Sequence, residues 1–288
     1  MYTERKESAM HKTLKRKILL LSLPALVGFL VFYIFPMFRS LGYSFIENTF
    51  TQKFVGFENY KTVLSNEFFQ MALKNTVVFS LISVGATVLL ALLISLGLVK
   101  LSQKFWFIKS LFTLPYVLPS ASIIFIWQTI FSTEQYTELM NIESLTGFFE
   151  ILPLYLLFSW KNIGIDIILI TSALVRVPPS VYEAAVMDGA KGVKLHTKIT
   201  LPMISPSMLF VVVLTFVNSL KIFKESYLYY NTDYPPDVAY MVQNYMNNHF
   251  LRLNYPYLSC AAIVLTLIIA FVSFLLYHSE NKINDYTS

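Results

Sequence analysis

The chain has 288 residues, of which 56% are hydrophobic and 14% charged, with a formal net charge of +5. Water-soluble domains run near about 45–50% apolar with roughly 25% charged, so a soluble metabolic enzyme is excluded. The 25 Phe and 18 Tyr exclude a disordered or fibrous chain, and a single cysteine, Cys260, excludes a disulfide framework or multi-cysteine metal site.

A membrane span needs about 20 apolar residues to cross roughly 30 Å of hydrocarbon, so stretches without a charged side chain locate the elements. Residues 1–17 form a basic N-terminal segment with Arg5, Lys6, Lys12, Lys15, Arg16 and Lys17. It reads as an orientation signal, or alternatively as an anchor for anionic lipid. The first span lies in the 21 uncharged residues between Lys17 and Arg39. Its length and the Pro36-Met37-Phe38-Arg39 boundary do not fit a cleaved signal peptide. The second falls in the 25 residues between Lys74 and Lys100, the third in the 24 between Lys109 and Glu134. A fourth, from about Phe148 to Val175, is interrupted by Lys161 and Asp166. Five positions separate those two, about 140° around a helix, so they are expected to face different parts of a bundle. The fifth lies in the 22 residues between Lys198 and Lys221, the sixth in the 27 between Arg252 and Glu280.

The expected architecture is therefore all-α: a polytopic membrane protein with six transmembrane helices over 18–279 and a cytoplasmic tail at 280–288. With the N-terminus cytoplasmic, the inner segments hold 14 basic and 6 acidic residues, a balance of +8. The rest of the chain holds 8 basic and 11 acidic residues, or −3, so positive charge lies inside and both termini are cytoplasmic. The +5 is an orientation signal and not a nucleic-acid footprint.

The cytoplasmic loop 176–206, between the fourth and fifth spans, carries most of the functional information. Pro178-Pro179 ends the fourth helix. Ser180 and Glu183 have the spacing of a capping box that would start a short helix at Val181. Ala184 and Ala185 keep that helix slim enough for another surface to approach. Gly189 and Gly192 allow a bend, and a second amphipathic stretch, Val193–Leu201, is expected to stop at Pro202 and Pro206. The product is a helix–turn–helix elbow.

In this loop Glu183-Ala184-Ala185, Gly189, Ile199 and Leu201-Pro202 stand at the spacing of the EAA motif, and the sequence resembles the permease subunits of ABC importers. Further pieces resemble the carbohydrate-uptake (maltose and multiple-sugar) branch: Pro24-Ala25-Leu26, Phe54-Val55-Gly56-Phe57-Glu58-Asn59-Tyr60, Asn75-Thr76 and Leu114-Pro115. Trp160-Lys161 with Gly164, Tyr182-Glu183-Ala184-Ala185 and Asp188-Gly189-Ala190 continue the series. Departures are His196 where an aromatic is common, Val193 for a frequent Trp, Asp233-Tyr234-Pro235-Pro236 where Gly-Gly-Pro is usual, and an acidic outer loop 132–147.

The resemblance implies an inner-membrane permease of a bacterial, binding-protein-dependent importer, acting on a sugar. It implies that Glu183, Ala184, Ala185, Asp188, Gly189, Ile199, Leu201 and Pro202 couple to cytoplasmic ATP-binding subunits in two copies. A second, homologous permease and an extracellular solute-binding protein would complete the assembly, within membrane lipid and without nucleic acid. No phosphate loop, zinc-protease motif, nucleophile elbow or dinucleotide fingerprint occurs, so ATP hydrolysis is expected on another chain and no cofactor is implied. His11, His196, His249 and His278 are scattered and form no metal cluster. Rival readings are an ABC importer for a polyol, glycerol phosphate or amino acid, an ion-coupled secondary transporter or channel, and a membrane enzyme.

Candidate residues for the substrate path are Asn218, Lys221 and Glu225, at i, i+3 and i+7 on one helical face, with Phe223 or Tyr227 as a stacking surface. Alternatively, Lys221 and Glu225 pair at i, i+4 and mark the helix end. Lys161 and Asp166 either line the path or make subunit and bundle contacts. Trp106, Trp127 and Trp160 read as interface-belt aromatics.

Overall fold

The computed structural model describes residues 21–99, 105–131, 136, 138 and 146–285. The basic segment 1–17 with His11, residues 132–135 and most of the acidic outer loop, the Trp106 side chain and tail residues 286–288 lie outside the described residues. Among the described residues, five helices are long and apolar enough to cross a membrane, or six if one bent pair counts as a span. The five are Leu21–Tyr43, Glu67–Leu98, Gly147–Arg176, Val193–Tyr230 and Tyr255–His278. The chain divides into two compact units, one comprising the residues to Val63 with His249–Ile263, the other Leu64–Asn248 with the residues from Val264 onward.

In the first unit, α1 (Leu21–Tyr43) contains a π-turn at Leu30–Ile34 and presents Phe29, Phe32, Phe35 and Phe38 outward. A hairpin-like loop follows, closed by an isolated antiparallel bridge between Ile46 and Phe54. The Phe-Val-Gly-Phe-Glu-Asn-Tyr run explains itself here. Gly56 takes φ +60, which an L side chain rarely adopts. Asn59, near the start of α2 (Glu58–Ser65), donates to the carbonyls of Ser44 at 3.0 Å and Ile46 at 2.7 Å. The Tyr60 hydroxyl donates to Ser44 Oγ at 2.8 Å, and burial pushes that phenol above its usual range.

The second unit is built on α3 (Glu67–Leu98), whose cap residue Asn66 accepts from the Phe69 amide at 3.0 Å. Its buried face is rich in small residues: Ala72, Thr76, Ser80, Ser83, Thr87, Ala91 and Ser95. In lipid, where apolar side chains gain little from leaving the solvent, such a face lets backbones approach and hydrogen-bond.

The third span is not one helix. It is a pair, α4 (Phe105–Val117) and α5 (Ser120–Phe131), bent by 103°. Pro119 causes the break, because its ring disfavours α-conformation at Leu118 and it cannot donate to the preceding turn. The fourth span is a single helix as expected, α6 (Thr146–Arg176), running through Lys161 and Asp166 and ending just before Pro178-Pro179. It packs along α3, with Thr87 Oγ1 donating to Ser159 Oγ at 3.0 Å and Ser95 Oγ to the Ile167 carbonyl at 3.2 Å. Where α4 crosses α6, a Cβ on Gly164 would stand 1.7 Å from the Phe112 carbonyl oxygen. The glycine of the Trp160-Lys161 piece is therefore a backbone crossing point.

Beyond α7 (Pro179–Met187), the chain does not stop at Pro202 or Pro206 as the prolines suggest. Residues Val193–Leu195 run through a π-turn, His196–Thr200, into α8 (Leu201–Ser219). The widened turn gives the Pro202 ring room that a regular α-turn denies. The helix ends at Ser219, a turn covers 220–222, and α9 (Phe223–Tyr230) follows. Asn75-Thr76 anchors the segment after it. Asn75 Nδ2 donates to the carbonyls of Asp237 at 2.6 Å and Tyr240 at 2.9 Å, and Thr76 Oγ1 accepts from the Val242 amide at 3.0 Å. Then come α10 (Val242–Leu251) and α11 (Tyr255–Asp285). The core of this unit joins Val88 and Ala91 of α3, Ile167 and Ile170 of α6, and Ile204 and Val211 of α8.

Candidate functional site: the elbow and the membrane cavity

The elbow between α6 and α8 is built by its prolines and glycines. Pro178, extended at ψ 135, is the cap residue of α7, and Pro179 occupies its first turn. Proline suits that position because the first-turn amides have no partner within the helix. The capping box expected from Ser180 and Glu183 does not form, since Ser180 already lies inside α7 and no side chain caps it. Ser180→Ala is therefore expected to change the stability of the purified chain, followed by thermal melting, by no more than a surface substitution does, about 0.5 kcal/mol. A loss near the 1 kcal/mol of a true cap would contradict this geometry.

The other end of α7 is a complete Schellman turn. The Ala190 amide donates to the Ala185 carbonyl at 2.9 Å, the Gly189 amide to the Val186 carbonyl at 3.0 Å, and Gly189 has φ +83. Gly192, at φ +54, makes the second bend. Both glycines thus occupy backbone conformations that other residues reach only with strain.

These turns sort the loop into two faces. Tyr182 and Leu201 pack on the core joining α3, α6 and α8, and Ala185 is buried. Glu183, Ala184, Asp188 and Gly189 are exposed, as are the apolar side chains of Met187 (88%) and Val193 (78%). Ile199 and Pro202 are half-buried. The His196 ring lies 3.2 Å from Thr200 Oγ1 inside the π-turn, a local contact.

Within the second unit, a cavity of about 360 Å³ lies among α4, α6 and the turn before α9. Its polar lining is Lys161, Asn162, Asn218, Lys221, Glu225 and Tyr116; Leu157, Phe158 and Ile222 form its apolar floor. Four residues singled out in the sequence therefore meet: Lys161, Asn218, Lys221 and Glu225. They do not do so along one helical face, because the turn at 220–222 separates Asn218 from Glu225. Nor do Lys221 and Glu225 pair. Glu225 forms an ion pair with Lys161 at 2.5 Å, and Ser120 Oγ at the start of α5 accepts from Lys161 at 3.0 Å and donates to Glu225 Oε1 at 3.1 Å.

Three other candidates lie outside the cavity lining. Phe223 and Tyr227 pack on each other with ring centroids 5.9 Å apart. Asp166 is fully buried and accepts from Thr215 Oγ1 at 2.9 Å, a bundle hydrogen bond between α6 and α8. Trp127 and Trp160 meet edge to face at 6.1 Å. Tyr116 and Asn162 of the cavity wall, and Ser120 bonded to the Lys161–Glu225 pair behind it, are residues that sequence reasoning missed; only Asn162, beside Lys161, carried any signal. Asn218 Nδ2 donates to Asn162 Oδ1 at 3.1 Å.

A larger groove of about 490 Å³ is lined almost wholly by aliphatic side chains such as Leu89, Leu92, Ile268 and Val272, and it does not suit a polar solute. Among the described residues no cluster of His, Cys, Asp and Glu could hold a metal ion. Burial, followed by the charge of Arg252, holds His249 below its usual range.

The chain is 33% identical over 225 residues to the "Probable ABC transporter permease protein MG188 homolog" of Mycoplasma pneumoniae, covering 72% of this chain and 68% of that protein. It is 30% identical over 274 residues to the arabinooligosaccharides transport system permease protein AraP of Bacillus subtilis, covering 88% and 85% respectively. Its fold superposes with TM-score 0.75 and 24% identity, over 94% of this chain and 97% of the other, on a chain of the bacterial alginate ABC transporter solved with an alginate pentasaccharide-bound periplasmic protein. The family model for the binding-protein-dependent transport system inner membrane component matches residues 88–285. With that match spanning the elbow, the cavity and four of the membrane spans, the chain belongs to the family of inner-membrane permease components of binding-protein-dependent transport systems.

Proposed function

We propose that this permease imports a sugar or oligosaccharide, that its elbow transmits ATPase closure to the spans, and that the 360 Å³ cavity is its half of the solute path. The observation that carries the coupling role is the two-faced elbow. Tyr182 and Leu201 are rooted in the core of α3, α6 and α8, while Glu183, Asp188, Met187 and Val193 face outward as a docking surface. Two ATP-binding subunits closing on ATP would push that surface, and rigid helices would convert the push into alternation between inward- and outward-open states. ATP hydrolysis belongs to those subunits. A second, homologous permease would complete the pathway, and an extracellular binding protein would deliver the solute.

A sugar is supported by the cavity's mixture of amides, ammonium groups, a carboxylate and a phenol, which matches a polyhydroxylated ligand, and by a volume within the usual range of about 300–1,000 Å³. It is supported also by the arabinooligosaccharide permease among the relatives. The test is reconstitution of the chain with its partner subunits in proteoliposomes. Uptake of labelled arabinotriose and maltotriose is measured with ATP, with a nonhydrolysable analogue, and with an ion gradient alone. ATP-dependent uptake of at least one sugar is expected. Uptake driven by the gradient without ATP would overturn the reading.

A further inference from the structure

The ion pair beside the cavity does more than line it. Lys161 lies in the middle of α6, Glu225 in the first turn of α9, and Ser120 at the start of α5, the outer half of the broken third span. One triangle of hydrogen bonds therefore ties three separate elements: Lys161 Nζ to Ser120 Oγ at 3.0 Å, Lys161 to Glu225 Oε1 at 2.5 Å, and Ser120 to the same oxygen at 3.1 Å. A second tie joins two of them, since Gln128 Nε2 donates to the carbonyls of Leu228 at 3.3 Å and Tyr229 at 2.8 Å. Helices α5 and α9 are thus fastened to each other along their length. The Tyr230 hydroxyl, at the far end of α9, donates to the Glu150 carbonyl of α6 at 2.5 Å, and the charged triangle is the polar tie to α6 at the cavity end.

The pair is partly sheltered, with side-chain exposure of 20% for Lys161 and 11% for Glu225. Its attraction is consequently stronger than that of a surface pair, and removing one partner strands a charge within the membrane. Both residues also line the cavity. Any hydroxyl-bearing solute there would meet the ammonium and the carboxylate, and a hydroxyl can both accept from the one and donate to the other. Among the described residues Glu225 Oε2 takes no hydrogen bond, so the carboxylate has an acceptor to offer without further rearrangement.

We propose that the Lys161–Glu225–Ser120 triangle is a latch that holds α5 and α9 against α6, and that solute hydroxyls entering the cavity release it. The three residues are positioning residues, setting how strictly ATP hydrolysis waits for solute. This rests on the sugar-path reading of the same cavity. The bent third span gives the latch something to hold, because α5 meets α4 at a proline break and can pivot there without unwinding a helix.

The experiment uses the complete importer in proteoliposomes, with its partner permease, ATP-binding subunits and binding protein. ATP hydrolysis is measured without added solute, then with maltotriose or arabinotriose, whichever the wild-type importer takes up. In Glu225→Gln and Lys161→Met, solute-free hydrolysis is expected to rise at least about five-fold, the lower end of measured coupling between sites. Stimulation by sugar should be lost, and the double exchange of Lys161→Glu with Glu225→Lys should restore low solute-free hydrolysis. Ser120→Ala, which removes one hydroxyl and keeps the charges, should give a smaller rise, and it decides the matter if a charge variant fails to assemble. Unchanged solute-free hydrolysis in assembled variants overturns the latch. So does a variant that only weakens the apparent sugar affinity with tight coupling kept, since that makes the pair a ligand site. Absence of sugar uptake in the wild type would instead overturn the sugar-path reading.

Discussion

Gly164→Val should prevent the chain from reaching its native packing, with a loss beyond the roughly 1–3 kcal/mol usual for overpacking. A Cβ at this position would stand 1.7 Å from the Phe112 carbonyl oxygen and 2.6 Å from its carbon, so backbone must move and no rotamer change can relieve the clash. Displacing α4 from α6 would also disturb the wall that Tyr116 gives the cavity. The measurement is the melting temperature and monodispersity of the detergent-purified chain, with Gly164→Ala as the milder step. Gly85→Ala is the control, because a Cβ there meets nothing within 4 Å. An alanine in place of a mid-helix glycine is worth up to about 1 kcal/mol of added helix stability. A Gly164→Val protein melting with the wild type would mean that α4 and α6 do not cross as described.

Gly189→Asp and Glu183→Lys should abolish ATP-driven uptake while leaving the membrane core folded. At Gly189 the obstacle is conformational. Its φ of +83 costs an L residue about 1–2 kcal/mol, although a Cβ there meets nothing within 4 Å. The Schellman turn then loosens, and with it the direction in which α7 presents its outer face. At Glu183 the obstacle is electrostatic, an exposed carboxylate of the docking face turned into an ammonium. A fall of at least about ten-fold in uptake, equivalent to roughly 1.4 kcal/mol in the coupled step, is expected for each. Melting temperatures near that of the wild type should accompany the fall. Retained uptake in both variants would remove the elbow from the coupling path.

The parts of the molecule were legible in the sequence to different degrees. The elbow was legible because its signals are local. Proline and glycine restrict φ and ψ within a residue or two, so Pro178-Pro179 and Gly189 could be interpreted without knowing what packs on them. Local reasoning still failed where two local rules competed. A serine three residues before a glutamate suggested a cap at Ser180, but Pro178-Pro179 had already begun the helix two positions earlier. Pro202 likewise suggested a stop, and a π-turn absorbed it.

The cavity was half legible. Lys161, Asn218, Lys221 and Glu225 stood out because polar groups are scarce in such an apolar chain. Their partners did not, since Lys161 and Glu225 are 64 residues apart, and the helical spacing of Lys221 and Glu225 offered a false local pairing. Ser120 and Tyr116 gave no signal, being ordinary residues until the break at Pro119 brings Ser120 to Glu225.

By itself, then, the sequence determined the solvent this protein lives in, where the spans lie along the chain, and the elbow. Each of these follows from charge, length and backbone restriction summed over neighbouring residues. Tertiary structure alone decided that the third span bends by 103°, that Gly164 is a crossing point, and that Lys161 answers Glu225 and not its own neighbours. Those facts depend on which backbones come within contact distance across the bundle. In lipid that choice is made by small-residue faces and by polar groups seeking partners, because every apolar surface is equally at home there.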